Sequence, residues 1–333
     1  MDTAKNMKLL ILTNKPDRAS CKQRIGIFQD YLSKNGIESD ICSFPSGIIQ
    51  RLNLIKLSRQ YDAVFLQKKR LRATDVLWAK YFSPTLIYDI DDAVMFSHES
   101  PEIDCPTRQK KFRRTAKLAD IIFAGNQYLK ENAEKVNPNV KIIPTGLDVS
   151  EYESSPDKLE KDGKIRLVWI GSKDTLQYLR QIAPALEEIG KRFDNVVLRI
   201  VCNHFFDLDN MPVEKHKWSL KTQASDLCTS DIGLAPLPDD RFTKGKCGFK
   251  ILQYSAASLP SVASPVGVNA DFAKENVRGF HASNIQQWVD AISKMVENDD
   301  MRKEMGKNAK KWVQDFDIEV LGEKLCKLIK QSV

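Results

Sequence analysis

Short apolar runs alternate with amphipathic stretches along the first half of the chain. The runs predict buried strands at Lys8–Thr13, Ile37–Cys42, Ala63–Gln67, Thr85–Ile90, Ala119–Ala124 and Val140–Ile143. Between them, apolar residues at helical spacing predict helices at Lys22–Lys34, Gly47–Leu57, Leu71–Tyr81 and Gln127–Lys135. Strands that alternate with helices indicate a parallel sheet covered on both faces.

The same alternation starts again in the second half, after a polar, acidic stretch at 147–164 that is typical of a linker. The predicted elements there are the strands Ile165–Ile170 and Val196–Val201, the helices Asp174–Ile189 and Lys221–Cys228, a strand–loop–helix–strand unit at 231–268 and a helical tail from Ile285. This pattern predicts an α/β protein with two tandem, doubly wound, Rossmann-like domains. Ligands of such sheets bind at the carboxyl ends of the strands. We therefore expect a central cleft between the domains.

Composition narrows the cellular setting. The seven cysteines are scattered and form no CxxC pair, which favours reduced thiols in a cytosol over disulfides or a zinc site. No signal peptide is visible, and no run approaches the roughly 18 apolar residues of a membrane span. We expect a cytoplasmic protein.

Charge is unevenly distributed. Residues 1–150 carry the whole net charge of +7, and residues 51–82 alone hold eight cations against two acids. Such a field attracts an anionic surface or substrate. The segment Lys68–Phe82 mixes cations with Trp78 and Tyr81, so it either lies on an anionic membrane surface or packs as an ordinary helix with a basic rim.

A second group of cations lies at 241–250, where Arg241, Lys244, Lys246 and Lys250 surround a predicted helix start at Gly248. Cations at this end oppose the helix dipole, so helix stability does not account for them. An anion held by the first N–H groups of the helix would account for these cations. Glycine would let the backbone approach that anion closely. The alternative is a solvated basic loop.

Three stretches of the chain resemble glycosyltransferase family 4. They are Asp120–Asp148, which ends in the turn Pro144-Thr145-Gly146-Leu147-Asp148, the strand and glycine loop LVWIGS at 167–172, and the segment 231–268. The last resembles a branch of that family that carries the motif GKCGFK, here residues 245–250, and this branch also tends to show the YDIDD found at 88–92.

The resemblance implies the GT-B architecture. An acceptor-side domain would span 1–150, a nucleotide-sugar domain 151–316, and a final helix at 317–333 would return to the first domain. It also implies transfer of a sugar with retention of configuration, without a bound metal or cofactor.

Two departures from the family pattern stand out. The family's two glutamates, eight positions apart, match Gly245 and Gln253, and its arginine and lysine after the first-strand glycine match Ser172 and Lys173. The amide of Gln253 can still hydrogen-bond a ribose. We expect Lys246 and Lys250 to neutralise the diphosphate instead.

Candidate site residues follow from the residues and the resemblance together. Catalytic roles are predicted for Asp91 and Asp92, which could orient the acceptor or take its proton, and for Lys250, which would stabilise the leaving diphosphate. The predicted donor-binding residues are Gly171, Ser172, Lys173, Lys246, Cys247, Gly248, Phe249, Lys250 and Gln253. The predicted acceptor or cleft residues are Arg24, Asp89, His98 and Asn126.

Structural alternatives stay open for several of these residues. Asp89 could form structural hydrogen bonds, with Asp91 or Asp92 capping a helix. Arg24 could be a surface arginine, His98 a surface-loop histidine and Asn126 a helix N-cap. A metal at the Asp-x-Asp acids is disfavoured by the two tandem sheets.

The leading hypothesis is a retaining glycosyltransferase that moves a sugar from a UDP- or GDP-sugar to a glycan or lipid-linked acceptor in cell-surface polysaccharide synthesis. It would act in the cytoplasm, with the basic first domain on the inner face of the membrane. A nucleotide-sugar epimerase of GT-B fold and a non-catalytic nucleotide-sugar-binding protein are the alternatives. A nucleic-acid partner is disfavoured, because no recognisable binding module accompanies the basic charge.

Overall fold

The computed structural model describes residues 6–153 and 162–333, and the chain forms two compact units. The first unit contains the chain up to Leu147 together with Asp240–Cys247 and Phe316–Val333, and the second contains Asp148–Asp239 and Gly248–Asp315. Part of the predicted linker at 147–164 lies outside the described residues. Its described beginning is packed, because the 3-10 helix Val149–Tyr152 buries Val149 and Tyr152.

Six parallel strands form the sheet of the first unit, in the order β2-β1-β3-β4-β5-β6. The strands are β1 (Met7–Thr13), β2 (Ile37–Ser43), β3 (Ala63–Gln67), β4 (Thr85–Ile90), β5 (Ile121–Ala124) and β6 (Val140–Ile142). The helices that connect them are α1 (Ala19–Arg24), α2 (Gln29–Lys34), α3 (Ile48–Leu57), α4 (Ala73–Phe82), α5 (Pro106–Leu118) and α6 (Gln127–Glu134).

The second unit repeats this plan with another six parallel strands, in the order β12-β11-β10-β7-β8-β9. Its strands are β7 (Ile165–Ile170), β8 (Val196–Val201), β9 (Val213–His216), β10 (Ile232–Ala235), β11 (Ser261–Ala263) and β12 (Gly279–His281). Its helices are α7 (Lys173–Gln181), α8 (Ala183–Arg192), α9 (Gln223–Cys228), α10 (Phe249–Ala256), α11 (Asn269–Phe272), α12 (Ile285–Glu297) and α13 (Asp299–Trp312).

The last helix, α14 (Ile318–Ser332), packs on the sheet of the first unit. Its Leu321 and Leu325 join Leu9 and Ile11 of β1 in one apolar core, whereas Leu10 of β1 belongs to the core on the opposite face of the sheet. Both faces of each central strand are therefore buried. This explains why these strands read as continuous apolar runs in the sequence.

The predicted fold class is confirmed, and the differences concern single elements. The helix predicted at Lys22–Lys34 is broken at Ile25, whose backbone leaves the helical region (φ −132°) while its side chain is fully buried. The helix predicted at Asp174–Ile189 is divided into α7 and α8, because Pro184 lies in the first turn of α8 and has no N–H to continue the helix before it.

Four of the helices and strands named above were not predicted, namely α5, β9, the four-residue α11 and β12. Helix α5 has a low apolar content, and the two strands are only four and three residues long. None of the helices within the described ranges combines the length and apolar character that a membrane crossing requires.

Candidate functional site

Acidic residues occupy the carboxyl end of β4 in the first unit. Asp89 is completely buried and accepts hydrogen bonds from the Arg24 guanidinium, whose Nη2 lies 2.7 Å from Asp89 Oδ1. Arg24 Nη1 also donates to the carbonyl oxygens of Ile143 and Pro144, at 2.8 and 2.9 Å. The surface interpretation of Arg24 is therefore wrong, and the structural interpretation of Asp89 is confirmed. The pair ties the end of β4 to the chain after β6.

Two lysines hold the next acids. Lys68 Nζ lies 2.8 Å from Asp91 Oδ1 and 2.7 Å from Asp92 Oδ2, and Lys246 Nζ lies 2.9 Å from Asp92 Oδ1. No helix begins here, since the next one, α5, starts at Pro106 with Cys105 as its N-cap. The helix-capping interpretation of Asp91 and Asp92 is therefore wrong. We call Lys68, Asp91, Asp92 and Lys246 the ion-pair cluster.

Lys68 reaches both acids from a left-handed backbone conformation. Its φ is +55°, and its N–H donates to the carbonyl of Asp89 at 2.8 Å. A non-glycine residue held in this region costs on the order of 1 kcal/mol or more, and such residues concentrate at functional sites. Sequence reasoning missed Lys68 as a member of the site. The available signal was its position directly after β3, the strand that neighbours β4.

The segment Asp240–Cys247 is fastened to these acids. Cys247 Sγ donates to the carbonyl of Asp91 at 3.2 Å, and Asn126 Nδ2 donates to the carbonyl of Lys246 at 3.0 Å. Asn126 is also the N-cap of α6, accepting from Leu129 N at 2.8 Å, so the capping interpretation is confirmed. Although the sequence predicts this segment inside the second domain, the structure groups it with the first unit.

The pKa values of Asp92 and of the neighbouring Cys247 are shifted in opposite directions. Burial opposes ionisation of Asp92, yet Lys68 and Lys246 outweigh it and hold the pKa of that carboxyl well below its usual range. Burial raises the pKa of the Cys247 thiol to about 11, although the charge of Arg24 acts in the opposite direction. A general base works best with a pKa near the working pH. The Asp92 carboxylate is therefore ionised and able to accept hydrogen bonds, but it is a poor proton acceptor.

His98 stands apart from this cluster. Its side chain is about half exposed, its Nε2 lies 3.8 Å from Glu99 Oε1, and its ring is tilted against Phe242 at 5.9 Å. These contacts are those of a surface-loop histidine.

In the second unit, the loops after β7 and β10 lie side by side. These strands are neighbours, and from them the chain proceeds toward opposite edges of the sheet. Ligands of open α/β sheets bind at such a switch point. Gly171 follows β7, and a Cβ there would overlap the Trp169 ring at 2.5 Å, so this glycine is required by packing. Ser172 is the N-cap of α7, and Lys173 is its exposed first residue.

Helix α10 begins at this switch point. Its N-cap, Gly248, has a φ of +65°, and a Cβ there would lie 2.6 Å from the Phe272 ring. No side chain caps the first turn, which contains Phe249 and Lys250. Lys250 extends over the Trp169 ring, with Nζ 5.1 Å from the ring centroid. A cation held over an aromatic face beside a helix start is a suitable arrangement for an anionic ligand.

Gln253 lies one turn further along α10 and is buried. Its Nε2 donates to Tyr152 Oη at 3.2 Å and to Gln223 Oε1 at 3.3 Å. Both amide hydrogens are thus directed at protein groups. A ribose contact by Gln253, which stays a prediction, would use its carbonyl oxygen. Tyr152 and Gln223 are neighbours that sequence reasoning did not identify, because their contact depends on tertiary packing.

The predicted site residues thus form two sets. The first unit brings together Arg24, Asp89, Asp91, Asp92, Asn126, Lys246 and Cys247, and the second brings together Gly171, Ser172, Lys173, Gly248, Phe249, Lys250 and Gln253. Lys246 and Lys250, predicted as one phosphate cradle, therefore belong to different sets. Their shared role stays a prediction. Across the two described ranges, no group of three or more His, Cys, Asp or Glu side chains is arranged to hold a metal ion.

Comparison with known proteins identifies the fold of the chain and matches one segment of it to a family model. A family model described as glycosyl transferases group 1 matches residues 238–312. No curated protein matches the chain in a sequence search. The chain thus carries a glycosyltransferase group 1 segment, and that segment contains the start of α10.

Solved structures match over nearly the whole chain. HepE from Anabaena, in complex with UDP, is 15% identical with a TM-score of 0.73, over 98% of this chain and 100% of that one. Sucrose-phosphate synthase from Thermosynechococcus elongatus is 12% identical with a TM-score of 0.78, over 98% of each chain. A Listeria monocytogenes protein assigned as a UDP-N-acetylglucosamine 2-epimerase is 13% identical with a TM-score of 0.62, over 98% of this chain and 96% of that one. The fold is the two-domain GT-B architecture of glycosyltransferases.

Proposed function

We propose that this protein is a retaining, metal-independent glycosyltransferase of family 4, in the branch with the GKCGFK motif, that transfers a hexose from a UDP- or GDP-sugar. The observation that carries the proposal is the glycosyltransferase group 1 match at 238–312, which spans the start of α10 and Lys250. Structures of HepE contain UDP, UDP with glucose, or UDP-glucose. They favour UDP as the nucleoside diphosphate.

The donor diphosphate is assigned to the switch point of the second sheet. Lys250 and the first turn of α10 would stabilise the negative charge that grows on the departing nucleoside diphosphate, the largest electrostatic demand of this reaction. Ser172 and Lys173 at the start of α7 would bound the same site, and Gln253 would contact the ribose. No bound cofactor is required, since the nucleotide-sugar is a substrate.

The acceptor is assigned to the first unit. The Asp91 and Asp92 carboxyl groups lie at the end of β4, each within ion-pair distance of Lys68, and they would accept hydrogen bonds from acceptor hydroxyls. Lys68 and Lys246 fix their positions. We further propose a glycan or lipid-linked acceptor, a role in cell-surface polysaccharide synthesis, and a cytoplasmic location on the inner face of the membrane. No nucleic-acid partner is proposed.

The decisive test is release of nucleoside diphosphate from a panel of UDP- and GDP-sugars, with and without lipid and glycan acceptors. The anomeric configuration of the product, read by NMR, tests retention, and addition of EDTA tests metal independence. If no nucleotide-sugar raises the thermal unfolding midpoint of the protein, the proposal fails.

An epimerase of GT-B fold is the second candidate, supported by the likeness to the Listeria monocytogenes protein. The same panel separates the two activities, because an epimerase converts the donor without releasing nucleoside diphosphate. A non-catalytic binding protein is supported by Gly245, where the family's carboxylate is missing. Such a protein would be stabilised by a donor and release nothing.

A further inference from the structure

A basic cavity opens in the first unit. It has a volume of about 260 Å³, and its lining includes the six cations Arg51, Lys68, Lys69, Arg70, Arg72 and Lys111 against the single acid Asp75. We call this space the basic cavity. Nothing in the proposed donor site uses it.

The one acid does not neutralise these cations. Asp75 is buried, and its oxygens are engaged by Arg51 Nε at 2.8 Å and by the backbone N–H of Arg72 at 3.0 Å. Lys68 is committed to the ion-pair cluster. Within residues 6–153 and 162–333, no ion pair joins Lys69, Arg70, Arg72 or Lys111 to an acid.

The field of the cavity is strongly positive as a result. Burial lowers the pKa of Lys69, and the charges of Arg51, Arg72 and Arg70 lower it further, against the opposing effect of Asp75. Burial and the charge of Arg108 likewise lower the pKa of Arg70. Concentrating like charges in a partly buried space destabilises a fold unless an anion binds there. The arrangement therefore indicates an anionic ligand.

The position of the cavity in the sheet supports the same conclusion. Asn14 follows β1 and Lys68 follows β3, and these neighbouring strands lead toward opposite edges of the sheet. The basic cavity thus lies at the ligand-binding switch point of the first unit. Lys68 lines the cavity and also contacts Asp91 and Asp92, so an anion in the cavity would lie next to the carboxylates assigned to the acceptor hydroxyls.

An apolar groove adjoins the basic cavity. It has a volume of about 650 Å³ between β2 and α3, its apolar lining includes Ile41, Leu54 and Leu57, and it shares Pro45 with the cavity. Leu57 is 40% exposed, so the groove presents apolar side-chain surface to the solvent. A small anion alone would leave this groove unused.

We propose that the basic cavity binds the phosphate group of a lipid-linked acceptor, with the first part of the lipid chain along the apolar groove. The cavity is smaller than the roughly 300–1,000 Å³ of sites for drug-sized molecules, and it suits a headgroup. The inference rests on the proposed function, because it specifies the acceptor of that reaction.

The first experiment uses inorganic diphosphate as the probe. Isothermal titration calorimetry is performed on the full chain saturated with UDP, so that the donor site is occupied. We expect diphosphate to bind the wild type, and the double variant Lys69→Ala/Arg70→Ala to bind at least about tenfold more weakly, as expected for the loss of charge-assisted hydrogen bonds. The variant Lys34→Ala/Lys141→Ala removes two exposed charges elsewhere on the first unit and should bind as the wild type does.

Unchanged UDP binding shows that the double variant is folded, and Lys111→Gln provides a milder second variant. If the wild type saturated with UDP binds no diphosphate, or if the cavity variants bind it equally well, the inference is overturned. If UDP itself fails to bind, the proposed donor function fails. Loss of diphosphate binding in Lys69→Ala/Arg70→Ala, but not in Lys250→Met, would still support the cavity as an anion site.

The second experiment distinguishes a lipid phosphate from a soluble one. The wild type should co-sediment with phosphatidylcholine vesicles that contain phosphatidic acid, and much less with phosphatidylcholine alone. Leu57→Gln in the groove should weaken that binding several-fold, whereas Val320→Gln, an exposed apolar position on α14, should leave it unchanged. If diphosphate binds the cavity but phosphatidic acid does not recruit the protein, the acceptor carries a soluble phosphate and the lipid assignment is wrong.

Discussion

Gly245 lies in direct contact with Ala93, and a Cβ built on this glycine would come within 2.6 Å of the Ala93 Cβ and 2.7 Å of the Ala93 nitrogen. The Ala93 backbone cannot move without disturbing Asp91 and Asp92 just before it. The close contact thus gives a physical reason why no glutamate occupies this position, although glycosyltransferase family 4, which the segment resembles, places one there. Asp240–Cys247 is shaped to fit the loop that follows β4.

Gly245→Ala should therefore destabilise the protein by about 1–3 kcal/mol, the usual consequence of overpacking a close contact. Gly245→Glu should destabilise it further, because its side chain is larger. Urea unfolding followed by circular dichroism gives the free energies. Gly47→Ala is the matched control, because the nearest atom there is the flexible end of Gln50 at 3.0 Å. Equal stability of Gly245→Ala and the wild type would contradict the packing argument.

The ion pair of Lys246 with Asp92 should make stability depend on pH. The pKa of Asp92 is lower in the folded state than the unfolded value of about 3.9, so ionised Asp92 stabilises the fold above that value. This contribution is lost as the pH falls through the folded pKa. Lys246→Met removes one of the two cations and should cost about 1 kcal/mol at neutral pH, between the values for exposed and buried pairs.

The difference between Lys246→Met and the wild type should narrow at acidic pH, as folded Asp92 takes up a proton, first in the variant, whose Asp92 pKa is less depressed, and then in the wild type. Urea unfolding at a series of pH values measures it. Lys141→Met, an exposed lysine of β6, should show no such dependence. A difference that is the same at neutral and acidic pH would mean that Lys246 acts through packing alone.

The periodicity of the sequence predicted both sheets because parallel strands buried on two faces read as apolar runs. It could not predict the contacts of Lys246. The positive charge near a helix start favoured a phosphate cradle, whereas the carboxylate of Asp92, 154 positions away, holds that lysine in the first unit. A cluster of cations in a sequence predicts that an anion binds there, but it does not identify the anion. The tertiary packing determines which anionic group each cation contacts.

Lys68 is a second residue whose contacts could not be predicted from the sequence. Its residue type and its position after β3 are visible in the sequence, but its positive φ and its contacts with two aspartates arise only when β3 and β4 pair. Arg24 and Asp89 were both identified as candidates, yet their pairing required the fold. The sequence shows which residues lie near the ends of predicted strands, but it does not show which of those residues pair with each other.

Lys250→Met should reduce turnover by about 100- to 1,000-fold, the usual effect of removing one group that stabilises developing charge. Methionine retains an unbranched stem that can still pack on Trp169, so the fold should be preserved. Release of nucleoside diphosphate under saturating donor gives kcat. Lys274→Met, an exposed lysine of the same unit, is the control. Full activity of Lys250→Met would move the diphosphate site away from α10.

Asp92→Asn tests whether this residue orients the acceptor or takes its proton. The lowered pKa makes the carboxylate a weak base, so its function should be to accept a hydrogen bond from an acceptor hydroxyl. An asparagine still accepts hydrogen bonds but loses the attraction to Lys68 and Lys246. We therefore expect the KM for the acceptor to rise about tenfold, with a smaller change in kcat, because an interaction made in the ground state and the transition state alike is weakened.

The pH profile of kcat for the wild type provides a second measurement. It should show no change in activity from titration of Asp92 between roughly pH 5 and 8, since this carboxylate is already ionised throughout that range. A drop in kcat of several hundred-fold at unchanged KM would instead make Asp92 the base that removes the acceptor proton.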